Sequence, residues 1–190
     1  KNIKLSDIAS PLVAIGHTRL VTNGLQTIDA NNQPIKKNGM VVVHNGIITN
    51  DVDLWTKRMS NKHSEVDSEL FPTLIDEYYT ETKDLIYSIQ KTFKEINGEA
   101  SISIIFDKLN IMILATNTGS IYTVSNSEKF VFVSEKYTAK QLLDGKFQID
   151  SFNYDNKIEQ LKAGEIKIID LNTLESTLYN ISDKYKDINI

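Results

Sequence analysis

The stretch from Ala100 to Ser134 limits the possible folds more than any other part of the chain. It contains short segments in which apolar and β-branched residues alternate or run together, separated by turn-forming residues. The four segments are Ala100 to Phe106, Ile111 to Thr116, Ser120 to Val124 and Lys129 to Ser134. Strands of this length with such short connections are typical of antiparallel pairing. The stretch therefore predicts an antiparallel sheet.

Helical patterns are concentrated in the first half of the chain. Three helices are predicted. The first runs from an Asn50 cap to about Met59, with Val52, Trp55 and Met59 on one apolar face. The second runs from Ser68 to about Tyr79, with Pro72 in its first turn, and the third runs from about Lys83 to Ile96. Further predicted elements are a short helix over 135–143 and strands over 11–18, 147–152, 165–171 and 176–181. Helices followed by strands indicate an α+β fold with largely antiparallel sheets.

Bulk composition excludes several classes of function. The chain has 190 residues, a formal net charge of -4 and no basic block, so no nucleic-acid partner is expected. No apolar run approaches the roughly 20 residues that span a bilayer, and no signal-like start is visible, so no membrane partner and a cytoplasmic location are expected. We expect one domain over residues 1–181, followed by a tail or linker over 182–190.

Cysteine is absent from the sequence, which excludes disulfides, thiolate metal ligands and a cysteine nucleophile within these residues. His17, His44 and His63 lie far apart without the spacing of metal ligands. They could serve as general bases, but no Ser/His/Asp order singles one out, and structural roles are expected. We therefore predict no metal and no cofactor.

The segment from Val41 to Ile48 combines a buried strand with a polar step. Three valines precede Asn45-Gly46, and two isoleucines follow. Asn-Gly is the commonest short hairpin turn, and this interpretation predicts a tight turn between two strands. The alternative is chemical: the Asn45 amide and a backbone N–H at Gly46 could form an oxyanion hole.

Two further positions are candidates for ligand binding. Arg19 at a predicted strand end could bind a carboxylate through its planar fork, with a hydroxyl from Thr22, or it could be an ordinary surface arginine. Asp67 could accept a hydrogen bond from an ammonium group, or Asp67 or Ser68 could simply cap the helix that follows. Together with Asn45 and Gly46, these residues describe a site for an amino acid whose side chain carries a reactive carbonyl.

Three motifs in series resemble the class II glutamine amidotransferases. They are Gly16-His17-Thr18-Arg19, Val41 to Asn50, and Ser64 to Glu69, and their order and spacing also match. Within that family the chain is most similar to the glutaminase domain of glucosamine-6-phosphate synthase. The resemblance covers roughly residues 12 to 171, and the combination of three motifs is more specific than any one of them.

The resemblance implies an N-terminal-nucleophile hydrolase fold, an α/β/β/α sandwich, and hydrolysis of glutamine to glutamate and ammonia. It implies that Arg19 and Thr22 hold the glutamine carboxylate, that Asp67 holds the amino group with help from Gly46, and that Asn45 and Gly46 stabilise the oxyanion. Ammonia would pass to a synthase domain or subunit, and the product would be an amino sugar.

The nucleophile of the family is an N-terminal cysteine, which this chain lacks. Three explanations stay open. The chain could be a piece of a longer protein, which we favour; an upstream segment could lie outside this sequence; or the protein could be a nucleophile-free homologue that binds amino acids and regulates. Under the first two, the N-terminal strands of the sandwich are also missing. This polypeptide by itself is expected to be inactive.

Overall fold

A computed structural model describes residues 13–18, 24–25, 27–58, 61–144 and 157–182. Within these residues nine strands form two antiparallel sheets, accompanied by four α-helices and short 3₁₀ turns. The strands are β1 (Ile35–Lys37), β2 (Met40–Ile48), β3 (Gly98–Phe106), β4 (Ile111–Thr116), β5 (Ile121–Ser125), β6 (Phe130–Val133), β7 (Glu159–Leu161), β8 (Glu165–Asp170) and β9 (Ser176–Asn180). The helices are α1 (Asp51–Thr56), α2 (Leu70–Thr82), α3 (Leu85–Glu95) and α4 (Lys136–Leu143).

The larger sheet has six strands in the order β1-β2-β3-β4-β8-β9, and the smaller sheet has three in the order β6-β5-β7. Alternation along β4 shows how the larger sheet is packed on both faces. Ile113 and Ala115 point into a core shared with α2 and α3, whereas Met112 and Leu114 point toward the smaller sheet. The larger sheet therefore separates two apolar layers.

A third apolar layer lies on the outer face of the smaller sheet, where Ala139 and Leu142 of α4 pack against Val124 of β5. The order of layers is thus helices, sheet, sheet, helix. This is the α/β/β/α sandwich that the resemblance implied, and the α+β prediction is confirmed.

The helix layer shows the expected stripe. Ile89 and Phe93 of α3 are buried one turn apart and pack against the apolar face of α2, where Phe71 is fully buried. The Asp84 side chain accepts a hydrogen bond from the Tyr87 N–H at 2.9 Å and so caps α3. Each such buried aromatic or aliphatic side chain stabilises the fold by roughly 1.5–3 kcal/mol.

Arg58, which follows α1, joins the three helices through hydrogen bonds. Its guanidinium donates to Glu77 of α2 at 3.0 Å, to Glu95 of α3 at 2.5 Å and to the Tyr78 hydroxyl at 3.2 Å. Glu95 also accepts from Tyr78. Burial, together with the hydrogen bond to Glu95, raises the pKa of Tyr78 to about 12.

The structure corrects several predictions of secondary structure. Asn45-Gly46 is no hairpin turn: β2 runs through it, because β3 pairs with every residue of β2 from Met40 to Ile48. Residues 13–18 have no regular secondary structure where a strand was predicted. The short strand β7 was not predicted at all. The predicted strand over 147–152 and the tail over 183–190 lie outside the described residues.

Helix α1 also differs from the prediction. It ends at Thr56 rather than near Met59, and Val52 is exposed while Leu54 is buried. Asn50 occupies the N-cap position without capping through its side chain, because its amide donates to the carbonyl of Glu95 at the end of α3 and accepts from the N–H of Asn97. Propensity and a capping residue located the helix but not its buried face.

Candidate functional site

The close approach of β2 and β3 at Gly46 defines one wall of the candidate site. Gly46 has φ +143°, a conformation that favours glycine, and a Cβ there would lie 2.0 Å from the Glu99 carbonyl oxygen. Gly98 of β3 has φ +123°, and its Cβ would lie 2.1 Å from the Ile47 carbonyl oxygen. The two glycines therefore let the backbones approach more closely than side chains would permit.

The edge of β2 that faces away from β3 carries the backbone donors of the site. The Gln33 side chain accepts a hydrogen bond from the His44 N–H at 2.6 Å and donates one to the His44 carbonyl at 2.9 Å. Farther along the same edge, Asp67 Oδ2 accepts a hydrogen bond from the Ile48 N–H at 2.7 Å. Alternate residues of a strand present their backbone groups to the same edge. Gly46 occupies the position between His44 and Ile48 in this alternation, and we therefore infer that its N–H is a donor at the same edge.

Asp67 is positioned by a loop that is anchored on Glu69. The buried Glu69 carboxylate accepts hydrogen bonds from the Ser64 N–H and Ser64 hydroxyl, both at 2.7 Å, and from the His63 N–H at 3.0 Å, and it pairs with Lys37 of β1 at 2.7 Å. Burial alone would raise the pKa of Glu69, but Lys37 and these donors outweigh it and lower the pKa to about 2.

The structure rules out the alternative in which Asp67 or Ser68 caps the following helix. Both residues, with Glu69, form a 3₁₀ turn before α2, and neither side chain makes a capping hydrogen bond. The first turn of α2 begins at Leu70 instead, with Pro72 inside it as predicted. The carboxylate of Asp67 is thus available to the edge of β2.

A reciprocal pair of hydrogen bonds joins this loop to the preceding one. The buried Asn31 amide donates to Glu65 Oε2 at 2.7 Å and accepts from the Glu65 N–H at 2.7 Å. Glu65 also accepts from the Leu25 N–H at 3.2 Å. Before the undescribed residues 19–23, Thr18 lines the cleft, and after them Gly24 lies beside Asn31 and Glu65.

Two more amide side chains hold the β3 end of the site. Asn117 donates to the Gly98 carbonyl at 2.9 Å and accepts from the Ala100 N–H at 2.8 Å. Asn50 donates to the Glu95 carbonyl at 2.9 Å and accepts from the Asn97 N–H at 2.8 Å. Side-chain amides can imitate a backbone partner in this way because they carry one donor and one acceptor side by side.

His44 lies beneath the cleft with its side chain 1% exposed. Its ring is tilted against Phe71 with a centroid separation of 4.9 Å, and Nδ1 lies 3.2 Å from the Ser68 hydroxyl. Burial lowers the pKa of His44 despite the nearby Asp67, and His17 lowers it further. The imidazole is therefore neutral at pH 7. By contrast the His63 side chain is 69% exposed, so of these two histidines only His44 is built into the interior.

These features surround a cleft of about 510 Å³. Asn45, Gly46 and Asp67 all line it, so the structure brings together three of the five residues proposed from the sequence. Arg19 and Thr22 lie outside the described residues. Among the described residues, no group of three metal-ligating side chains could hold an ion, and no helix is long and apolar enough to cross a membrane.

The cleft combines hydrogen-bond donors with the carboxylate of Asp67. The Asn45 amide and the Gly46 N–H could stabilise negative charge on an oxygen, while Asp67 could accept from a cation. Gln33 and Glu69, which hold the edge of β2 and the Asp67 loop, were not found from the sequence. Gln33 stands in a run of turn formers and Glu69 in a run of acids and serines, and neither pattern distinguishes an anchor from a surface residue.

Comparison with known proteins links the chain to glutamine amidotransferases. A family model described as "Glutamine amidotransferase domain" matches residues 17–142. The glutamine–fructose-6-phosphate aminotransferase (isomerizing) of Chlamydia pneumoniae is 28% identical over 180 residues, which cover 92% of this chain and 28% of that protein. The enzyme of the same name from Clostridium perfringens is 33% identical over 132 residues, covering 67% of this chain and 21% of that protein. The chain therefore spans about a quarter of the length of these relatives.

Solved structures share the fold. The glutamine phosphoribosylpyrophosphate amidotransferase from B. subtilis, complexed with ADP and GMP, superposes with a TM-score of 0.66 and 19% sequence identity, covering 88% of this chain and 34% of that one. A second structure, described as the allosteric regulatory enzyme of purine biosynthesis, superposes with a TM-score of 0.61 at 18% identity, covering 81% of this chain and 32% of that one. At these identities the likeness concerns the fold alone.

Proposed function

Because this chain belongs to the glutamine amidotransferase domain family, we propose that its cleft binds L-glutamine for hydrolysis of the side-chain amide. The observation that carries the proposal is the shared lining of one cleft by Asn45, Gly46 and Asp67. A ligand with its ammonium on Asp67 and its side-chain carbonyl beside Asn45 and Gly46 would use both the carboxylate and the hydrogen-bond donors of the cleft.

Each residue has a proposed role. Asp67 accepts a charge-assisted hydrogen bond from the α-ammonium group, with help from Gly46. The Asn45 amide and the Gly46 N–H stabilise the oxyanion of the tetrahedral intermediate. Arg19 and Thr22 bind the α-carboxylate, a role that their position between the cleft residue Thr18 and the anchored Gly24 supports.

The cysteine nucleophile that the family resemblance implies is not among these 190 residues. We therefore propose that this polypeptide binds glutamine or glutamate without turnover. The named relatives are enzymes, which favours a catalytic parent protein over an amino-acid-binding regulatory module. The same names support a synthase domain or subunit that receives ammonia and forms an amino sugar. We also propose a single domain over residues 1–181 and a cytoplasmic location, which cell fractionation would test.

The binding proposal is tested by calorimetric titration of the chain with L-glutamine. Asp67→Asn keeps an acceptor for the Ile48 N–H but removes the charge, so affinity should fall about tenfold to a hundredfold, the value of one charge-assisted hydrogen bond. Asp53→Asn, on the exposed face of α1, is the matched control and should leave affinity unchanged. Equal affinities for Asp67→Asn and the unsubstituted chain would show that Asp67 does not bind the ligand.

The catalytic part has a separate test. The gene should be read upstream of Lys1 for a Met-Cys-Gly start, and ammonia release should be measured with the 190-residue chain and with the longer product. We expect no ammonia from the shorter chain. Ammonia release by it would identify a nucleophile other than cysteine, and a longer product whose Cys→Ala variant is equally active would refute the proposed hydrolysis.

A further inference from the structure

A buried imidazole that the proposed reaction does not use lies against the carboxylate of the site. His44 Nδ1 is 3.2 Å from the Ser68 hydroxyl and 3.8 Å from Asp67 Oδ1. On the other side of the ring, Nε2 is 3.4 Å from the Glu99 carbonyl oxygen. The titratable groups that act on the ring are Asp67 and His17, whereas Ser68, Phe71 and the Glu99 carbonyl present uncharged atoms to it.

These contacts fix the tautomer of the neutral ring. A carbonyl oxygen can only accept a hydrogen bond, so Nε2 carries the proton and donates it to Glu99. Nδ1 then presents a lone pair, and the Ser68 hydroxyl is the donor that faces it. The hydrogen bond of Ser68 is thus directed to His44 as long as the imidazole is neutral.

The direction of that hydrogen bond decides what is left for Asp67. Ser68 has a single hydroxyl proton and two acceptors in reach, His44 Nδ1 at 3.2 Å and Asp67 Oδ1 at 3.4 Å. Asp67 Oδ2 already accepts from the Ile48 N–H. When Ser68 donates to the ring, Oδ1 keeps its full capacity as an acceptor, and within the described part of the chain no other donor reaches it.

We propose that neutral His44 is a positioning residue, which draws the Ser68 proton and leaves Asp67 Oδ1 to accept from the ammonium group of an amino acid. Protonated His44 acts in the opposite sense, because a proton on Nδ1 partly neutralises Asp67 and turns the Ser68 hydroxyl toward the carboxylate. A proton on His44 and the ligand ammonium therefore compete for Asp67. The inference rests on the proposed function, since it takes the ligand at Asp67 to be an amino acid.

The test compares the pH dependence of L-glutamine binding, measured by calorimetry from pH 8 downward through the pKa of His44, which nitrogen NMR of the ring locates. For the unsubstituted chain, affinity should fall as the pH falls through the pKa of His44, by up to tenfold for each pH unit below it. His44→Phe, which keeps a ring against Phe71, should bind more weakly but with no pH dependence. His63→Asn removes an exposed histidine and should keep the pH dependence of the unsubstituted chain.

A second probe separates the ammonium from the rest of the ligand. Glutaramate, which is glutamine without its amino group, should bind the unsubstituted chain with no loss of affinity at low pH. Nitrogen NMR of the ring supplies a measurement that does not depend on a variant folding: His44 should be the Nε2–H tautomer, and adding glutamine should lower its pKa.

The outcomes distinguish the two proposals. Glutamine binding with equal affinity at every pH, a pH dependence that survives in His44→Phe, or an Nδ1–H tautomer would overturn the role of His44 and leave glutamine binding intact. No glutamine binding at any pH would overturn the proposed function and, with it, this inference.

Discussion

Glu69 should make the folded chain sensitive to acid. Its side chain is 2% exposed, and its pKa is about 2 in the folded protein compared with a usual value of 4.5. A difference of about 2.5 pKa units corresponds to about 3 kcal/mol of stability, at 1.36 kcal/mol for each unit. Glu69→Gln removes the charge that Lys37 and the Ser64 donors stabilise, so the variant should lose about that amount at pH 7.

The sign of the pH dependence follows from the lowered pKa. The unfolded chain takes up a proton at Glu69 near pH 4.5, whereas the folded chain does so only near pH 2. The contribution of Glu69 is therefore fully present above about pH 5 and is lost as the pH falls through this range, by about 1.4 kcal/mol for each pH unit. Other carboxylates contribute too, so the informative quantity is the difference between the unsubstituted chain and Glu69→Gln.

Urea unfolding followed by circular dichroism, repeated from pH 7 to pH 2.5, measures that difference. It should be about 3 kcal/mol at pH 7 and should shrink toward zero as the pH approaches 2. Glu159→Gln, whose carboxylate is 60% exposed beside Lys167, should cost less than about 1 kcal/mol at any pH. A Glu69→Gln difference that stays constant from pH 7 to pH 2.5 would refute the assignment of the effect to the Glu69 charge.

Three further predictions concern the wall of the cleft and the helix layer. Gly46→Ala places a Cβ 2.0 Å from the Glu99 carbonyl oxygen, so unfolding experiments should show a loss of several kcal/mol, whereas Gly16→Ala, with no atom within 4 Å of its Cβ, should cost little. Arg58→Met should lower stability by about 1–3 kcal/mol at pH 7, because it removes the hydrogen bonds that the guanidinium donates to Glu77 and Glu95; urea unfolding would count against this if the midpoint did not move. With Asp67→Asn, a given concentration of glutamine should raise the melting temperature less than in the unsubstituted chain, and an undiminished shift would exclude Asp67 from the site.

Strands β3 to β6, β8 and β9 could be predicted because each shows its own run or alternation of apolar residues, whereas the three-residue strand β7 is too short to show either. The sandwich and the family followed from motifs rather than from periodicity. The Asn45-Gly46 turn was wrong for a physical reason: the local preference of this dipeptide for a hairpin is overridden by nine residues of pairing between β2 and β3. A local signal cannot show that the partner strand begins 50 residues later.

The same limit applies to the site. Asn45, Gly46 and Asp67 were found because the residue types suit the chemistry, and the structure brings them into one cleft. The anchors of the site could not be found in this way. Gln33 pairs with the backbone of His44, 11 residues away, and Glu69 pairs with Lys37, 32 residues away, and nothing in either segment specifies such a partner.

The pairing of side chains with the edge of β2 has a consequence for association. An open strand edge invites another chain to add a strand, and this is a common route to aggregation. Here the Gln33 side chain is hydrogen-bonded to the N–H and carbonyl of His44, and Asp67 accepts a hydrogen bond from the N–H of Ile48. These two residues of β2 lie on either side of Gly46. Between these hydrogen-bonded positions, Gly46 alone presents its backbone to the edge of β2. This single position can admit the carbonyl of a small molecule, but it is too short to template the addition of a foreign strand.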